Sequence, residues 1–247
     1  MDEALASLRS ATAGLPVAAV LVANGGWQPG EPVTRHFDDV VRCELAGLGL
    51  ARNLGVLQAR SPWVSFFDTD DVLERGYVQG LLGAIESAQQ QRRPCFFNGT
   101  AFIDADSRPL GVPRSAPHRH PALALALRHP FTGATLTIRR DAFIALGGYK
   151  WGGYAEDYEL SIRLVQRHGL PQVHHANHYR YRLHGAAMSG NGRAKIAGVL
   201  AVQLHAAVSG RGRRYWLGAG VSVARLAVAR TGQALRLLAG PRRGAAR

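Results

Sequence analysis

Two groups of carboxylates stand out in a chain that is otherwise strongly basic. Asp68, Asp70 and Asp71 follow the apolar run Trp63–Phe67 in "WVSFFDTDD", and Glu156, Asp157 and Glu159 fall in "YAEDYELSIRL". Three carboxylates within four residues repel one another, and each resists ionising unless positive charge lies close by. A divalent cation supplies that charge. An Asp-x-Asp turn can aim both acids to one side as hard oxygen ligands for Mn²⁺ or Mg²⁺ and leave positions open for phosphate oxygens and water. The plainer alternative is a solvated turn, with Asp71 capping the helix that follows. The second group opens a helix, where the dipole stabilises acids whether or not they do chemistry. Its interest lies in partnership with the first group.

Other residues could serve the same chemistry. Arg52 and Asn53 sit in a helix opening, where backbone N–H groups favour anions; a plain helix-surface position is the alternative. His184 ends an arginine-rich strand, and a solvent-facing side chain is its default reading. Trp151 and Tyr154 offer aromatic faces for a sugar.

These side chains need elements to position them. Apolar spacing predicts a helix over Asp2–Ala11, a strand over Val17–Val22 and a loop from 27 to 39. A weaker strand, "VVRCEL", precedes a helix in "GLGLARNLGVLQA" and the strand Trp63–Phe67. A helix is expected over Val72–Gln89, a strand in "PCFFNGTAFID" and a long Pro-rich loop over Ser107–Pro121 that would select the acceptor. A strand over Ala134–Arg140, helices over Asp141–Leu146 and Tyr158–His168, and the strand "HHANHYRYRLH" follow. The chain from Arg193 onward reads as helical, with a break at "RGRR", 211 to 214. Alternating strands and helices argue for an open, largely parallel sheet with ligands at the carboxyl ends of its strands.

With 247 residues and 47% hydrophobic residues, one sizeable core is expected. Cys43 and Cys95 alone give no disulfide framework and fit a reducing cytosol. The start, "MDEALASLRSATAGLP", lacks the basic opening and apolar core of a signal peptide, and no uncharged apolar run reaches the roughly 18 residues of a membrane span. The expected location is cytoplasmic, including a peripheral position at the inner membrane face. Residues 1–159 hold 15 Lys/Arg and all 17 Asp/Glu, so the net charge of +13 comes from the chain after Glu159. That field attracts polyanions. Arg214, Arg225 and Arg236 recur on one helical face beside Trp216, Leu217, Val221 and Val228, a pattern that suits an anionic membrane surface. A helix packed on the main domain is the alternative. Nucleic acid is disfavoured, because the tail has little aromatic interleaving.

Taken together, these motifs resemble the family 2 glycosyltransferases, whose fold is called GT-A. "ARNLGVLQARSPWVSFFDTDDVLERGYV" is similar to that family's helix, strand and Asp-x-Asp-Asp turn. "FTGATLTIRRDAFIALGGYKWGGYAEDYELSIRLVQRHG" is similar to its acceptor-side strand, Gly-Gly-aromatic turn and Glu-Asp helix, and "YRYRLHGAAMS" to its closing strand. The resemblance implies a GT-A-like α/β fold: an open mixed, mostly parallel sheet flanked by helices. It also implies a domain over 1–190 and a basic helical tail over 191–247. The implied activity is metal-dependent, inverting transfer of a sugar from a nucleotide-diphospho-sugar to an acceptor hydroxyl. The acceptor would be a glycan or a lipid-linked molecule of the cell envelope. Asp70 would bind the divalent metal (Mn²⁺ or Mg²⁺), with Asp68 beside it toward the donor and His184 approaching from the closing strand. Arg52 and Asn24 would line the nucleotide pocket, Asp157 would be the general base, and Trp151 and Glu156 would lie on the acceptor side.

The family's opening strand has no counterpart here, because the chain begins with the helix Asp2–Ala11. Either the start lies too far downstream or the sheet has adjusted, and the expected trace is a strand position with unpaired backbone and uncovered apolar faces. A catalytically impaired, glycosyltransferase-like scaffold or membrane-associated binding protein is the alternative function.

Overall fold

The structure, a computed structural model, describes residues 1–110, 121–127, 129–151, 154–184 and 192–238. Most of the expected acceptor loop, residues 111–120, lies outside the described residues, as do Gly152, Gly153 and residues 185–191 of the closing motif.

The chain opens with α1 (Asp2–Thr12), β1 (Val20–Asn24), the short α2 (Glu31–Thr34) and β2 (Asp39–Cys43), followed by α3 (Leu48–Gln58) and β3 (Trp63–Ser65). Next come β4 (Val72–Leu73), α4 (Tyr77–Gln90), β5 (Cys95–Ile103) and α5 (Pro121–Leu127). A 3₁₀ turn at Gly133–Thr135 leads into β6 (Leu136–Arg139), α6 (Arg140–Leu146), α7 (Glu156–His168) and β7 (Gln172–Arg182). The helices α8 (Gly192–Val208) and α9 (Arg214–Leu238) close the chain.

The strands form a five-stranded sheet in the order β3-β6-β5-β7-β4 and a separate parallel pair, β1-β2. The sheet is mixed, as expected. Its longest pairing, β5 with β7, is parallel, whereas β6 and β4 join antiparallel. Phe96, Phe97, Ile138 and Tyr179 form its buried faces. The leading strand is shorter than its apolar run suggests, because Phe66 and Phe67 leave the ladder. The segment from Phe66 to Asp71 instead crosses from β3 at one edge of the sheet to β4 at the other. Val72 and Leu73, expected to start a helix, pair antiparallel with Arg180 and Tyr179. The helix begins only at Tyr77, after Gly76.

Asp71 is therefore no helix cap. It is 1% exposed, accepts a hydrogen bond from the Tyr179 hydroxyl at 2.7 Å and from the Arg182 backbone N–H at 2.8 Å, and ties the crossing segment to β7. Burial pushes its carboxyl up to about 7.

Among the described residues β1 pairs only with β2 and β3 only with β6, and both β1 and β3 line a groove of about 1740 Å³ together with Leu5 and Leu8 of α1 and Leu81 of α4. The groove continues to Asn24, Arg52, Asp68 and Asp70.

The C-terminal helices share a core with the sheet-flanking ones. Tyr215, Val202 and Ala206 pack with Leu125 of α5 and with Tyr158 and Ile162 of α7. Here α9 comes so close to α5 that a Cβ on Gly218 would lie 1.9 Å from the Ala126 carbonyl oxygen, so only glycine fits. The opposite face leaves Trp216 (52%) and Leu217 (57%) exposed, with Val223 and Val228. No helix among the described residues is long and apolar enough to cross a membrane.

Candidate active site

The two acidic groups meet through Arg52. From α3, its guanidinium reaches the crossing segment, where Nη2 donates to both Asp68 oxygens at 2.9 and 3.2 Å. Its Nη1 donates to Glu156 at the start of α7, at 3.2 Å. The charge also lies over the rings of Phe66 and Tyr149, 5.7 and 5.6 Å from their centroids. Burial alone would favour losing the Arg52 proton, but Asp68, Tyr149 and Glu156 hold the group well above its ordinary value. Arg52 Nε and the Tyr149 hydroxyl are buried with no hydrogen-bond partner among the described residues.

Neighbouring contacts hold this bridge in place. Asn53 clasps the Tyr149 backbone with a pair of hydrogen bonds at 2.9 and 2.8 Å. Arg163, paired with Glu159 at 2.6 Å, donates to the Leu146 and Gly148 carbonyls, at 2.6 and 2.7 Å. Glu159 is thus a structural partner inside α7. The helix opens at Ala155, whose φ of 74° is left-handed, and that turn delivers Glu156 and Asp157 to adjacent positions facing the sheet.

The expected site residues divide into three sets. Asp70 and His184 meet: His184 Nε2 lies 3.0 Å from Asp70 Oδ2, with the side chains 24% and 46% exposed, respectively. Asp68 does not join them, because Arg52 takes both its oxygens. Among the described residues no three acids, histidines or cysteines gather into a metal-holding cluster. A carboxylate and an imidazole facing solvent nevertheless fit a hard divalent cation that keeps water or phosphate oxygens in its remaining positions. Asn24 ends β1 and lines the groove that reaches Arg52 and the acidic turn.

Glu156 and Trp151, expected on the acceptor side, both make contacts within the protein. Glu156 is 6% exposed and committed to Arg52, so it braces the site from within. Burial first, then the neighbouring Asp157, pushes its carboxyl up to about 7 against the pull of Arg52. Trp151 turns toward α8, its ring 6.0 Å from that of His205.

Asp157 keeps partial exposure and has a partner that sequence reasoning missed. His129, just beyond α5, places Nδ1 3.3 Å from Asp157 Oδ2. Burial opposes ionisation of Asp157, but His129 and Arg52 outweigh it and hold the carboxyl below its ordinary range. The 3₁₀ turn passes beneath: a Cβ on Gly133 would lie 2.5 Å from Asp157 Oδ2. That glycine was the one sequence signal for a close approach here.

The fold is similar to that of S. aureus TarS residues 1–349 in complex with UDP-GlcNAc, with a TM-score of 0.60 and 16% identity over 82% of this chain and 62% of that one. The same TarS fragment without ligand gives 0.54 at 18% identity over 82% and 61%, and its UDP complex 0.52 at 16% over 82% and 61%. The shared architecture is the GT-A fold, and the chain spans about 62% of the length of the TarS fragment. Residues 35–147, which hold Arg52, Asp68, Asp70 and His129, match the sequence model of glycosyl transferase family 2. Glu156, Asp157 and His184 lie beyond the matched segment. No curated protein sequence gives a significant match.

Proposed function

We propose that this chain is a metal-dependent, inverting glycosyltransferase that moves a sugar from a nucleotide-diphospho-sugar to an acceptor hydroxyl. The observation that supports the reading is the Arg52 bridge, which joins Asp68 in the acidic turn to Glu156 at the opening of α7, so that their neighbours Asp70 and Asp157, distant in sequence, would serve one site. Inverting transfer requires a base on one face of the anomeric carbon and stabilisation of the departing diphosphate on the other. Asp157 is the proposed base, a role typically worth ~10²–10⁴-fold. Asp70 and His184 would hold the divalent cation, which when bound offsets negative charge on the leaving diphosphate. Asn24 and the groove mouth are the proposed place for the nucleotide, with Asp68 and Arg52 as its charged floor.

The proposed transferase domain is residues 1–190. The proposed acceptor is a glycan or lipid-linked molecule, and the basic, partly apolar surface of α8 and α9 is proposed to rest on an anionic membrane at its cytoplasmic face. A second reading, a catalytically impaired scaffold, draws on the separation of β1 and β2 from the five-stranded sheet, with a groove that opens into the proposed nucleotide site. Calorimetry with UDP and Mn²⁺ tests the donor site. Wild-type chain is expected to bind UDP more tightly with Mn²⁺ than with EDTA, and Asp70→Ala to lose that difference. Unchanged metal-dependent affinity in Asp70→Ala would remove the metal role, and absence of UDP binding in wild type would favour the scaffold.

A further inference from the structure

His129 lies in a closed chain of hydrogen bonds whose proton count can be worked out. Ser161 Oγ donates its single hydrogen to the Asp157 backbone carbonyl at 2.7 Å, one turn back in α7. Ser161 Oγ is also 3.0 Å from His129 Nε2, and with its own hydrogen committed it can only accept there. Nε2 therefore carries a hydrogen. The opposite ring nitrogen, Nδ1, faces Asp157 Oδ2 at 3.3 Å, and a neutral ring with hydrogen on Nε2 would aim a lone pair at a carboxylate. Contact is favourable only if Nδ1 carries a hydrogen too. The ring has no freedom to turn away, since its side chain is 12% exposed and packs 5.5 Å from the Tyr158 ring and 6.1 Å from the Phe131 ring, centroid to centroid.

We infer that His129 is a positioning residue for the proposed base: as an imidazolium anchored by Ser161, it fixes the Asp157 carboxylate through its Nδ1 hydrogen. The inference rests on the proposed role of Asp157. The carboxylate is held on Oδ2 by His129 and on Oδ1 by the Tyr158 backbone N–H at 2.8 Å, and Gly133 closes the space beneath it. Only its solvent-facing lone pairs stay available to an acceptor hydroxyl. The other ionisable groups facing this pair are Glu156 beside it, Arg52 behind Glu156, and the phenols of Tyr149 and Tyr158. Glu156 feels both Arg52, to which it is bonded, and His129, whose ring nitrogen lies against Asp157. A proton taken from the acceptor would move onto a carboxylate already paired with a cation.

Nitrogen-15 NMR of the imidazole rings in the full chain at pH 7.5 tests this. In wild type, both His129 nitrogens are expected to carry hydrogen; in Asp157→Asn, only Nε2. A neutral His129 ring in wild type, or the same protonation in both proteins, would overturn the inference. Should Asp157→Asn not fold, Ser161→Ala serves. Without the serine, a neutral ring with hydrogen on Nδ1 satisfies Asp157, so double protonation at pH 7.5 should fall, and an unchanged doubly protonated ring would count against the inference. Retained transfer in Asp157→Asn, with the ring behaving as expected, would remove the base assignment and with it the role of His129 in transfer.

Discussion

Replacing Arg52 by methionine keeps much of the buried stem and removes the charge that joins the two acidic groups. Asp68, with its side chain 24% exposed, can recover water when the guanidinium is lost. Glu156, 8% exposed, cannot, and must either remain a buried lone carboxylate or take up a proton. Breaking a buried pair costs about 3–5 kcal/mol. The partial exposure of Asp68 and the ease with which Glu156 protonates place Arg52→Met near the lower end, about 3 kcal/mol at pH 8. At pH 6 the cost should shrink, because Glu156 is then neutral. Adding Glu156→Gln to the variant removes the stranded carboxylate and should recover roughly 1–2 kcal/mol, a coupling of the size found between contacting residues. Urea unfolding of the three proteins, followed by circular dichroism at both pH values, measures this. A cost below about 1 kcal/mol at pH 8, or a double variant no more stable than Arg52→Met, would refute the bridge as the link between the two halves of the site.

Asp71 gives a pH dependence with a definite sign. Its folded-state value, near 7, lies above the unfolded value of 3.8, so the stability it contributes is present below the unfolded value and lost as pH rises through 7. The neutral Asn in Asp71→Asn mimics the protonated acid, so wild-type stability relative to Asp71→Asn should fall by roughly 3 kcal/mol between pH 5 and pH 8; parallel unfolding curves across that range would contradict the buried-acid assignment. On α9, Trp216→Glu with Leu217→Glu should abolish co-sedimentation with vesicles rich in phosphatidylglycerol while leaving the helical signal intact. Equal sedimentation of variant and wild type would show that this face is not the docking surface.

The outline of the fold was legible wherever the residues signalled their own period. Branched and aromatic runs announced β3, β5 and β7, and the Gly-Gly turn after Leu146 ended α6 where expected. Two residues such as Val72 and Leu73 have no period to read, so a strand formed by pairing with Arg180 and Tyr179 looks in sequence like the start of a helix. On α9 the buried residues Tyr215, Ala219 and Ser222 follow helical spacing, whereas the more apolar Trp216 and Leu217 beside them stay exposed. The chemistry was less legible because its partners are far apart. Arg52 stands 104 residues from Glu156, and nothing local reveals that it braces two acids. His129 carries no motif, and its role depends on a serine 32 residues later.

The most direct test of the proposed activity is turnover of a sugar nucleotide by the purified chain with Mn²⁺, comparing wild type with Asp157→Asn. Wild type should release a nucleoside diphosphate from one of a panel of nucleotide-diphospho-sugars in the presence of acceptor glycans, and Asp157→Asn should lose at least ~10²-fold in rate while nucleotide affinity stays unchanged. Turnover in Asp157→Asn equal to that of wild type would contradict the assignment of Asp157 as the base and, with it, the site built around the Arg52 bridge.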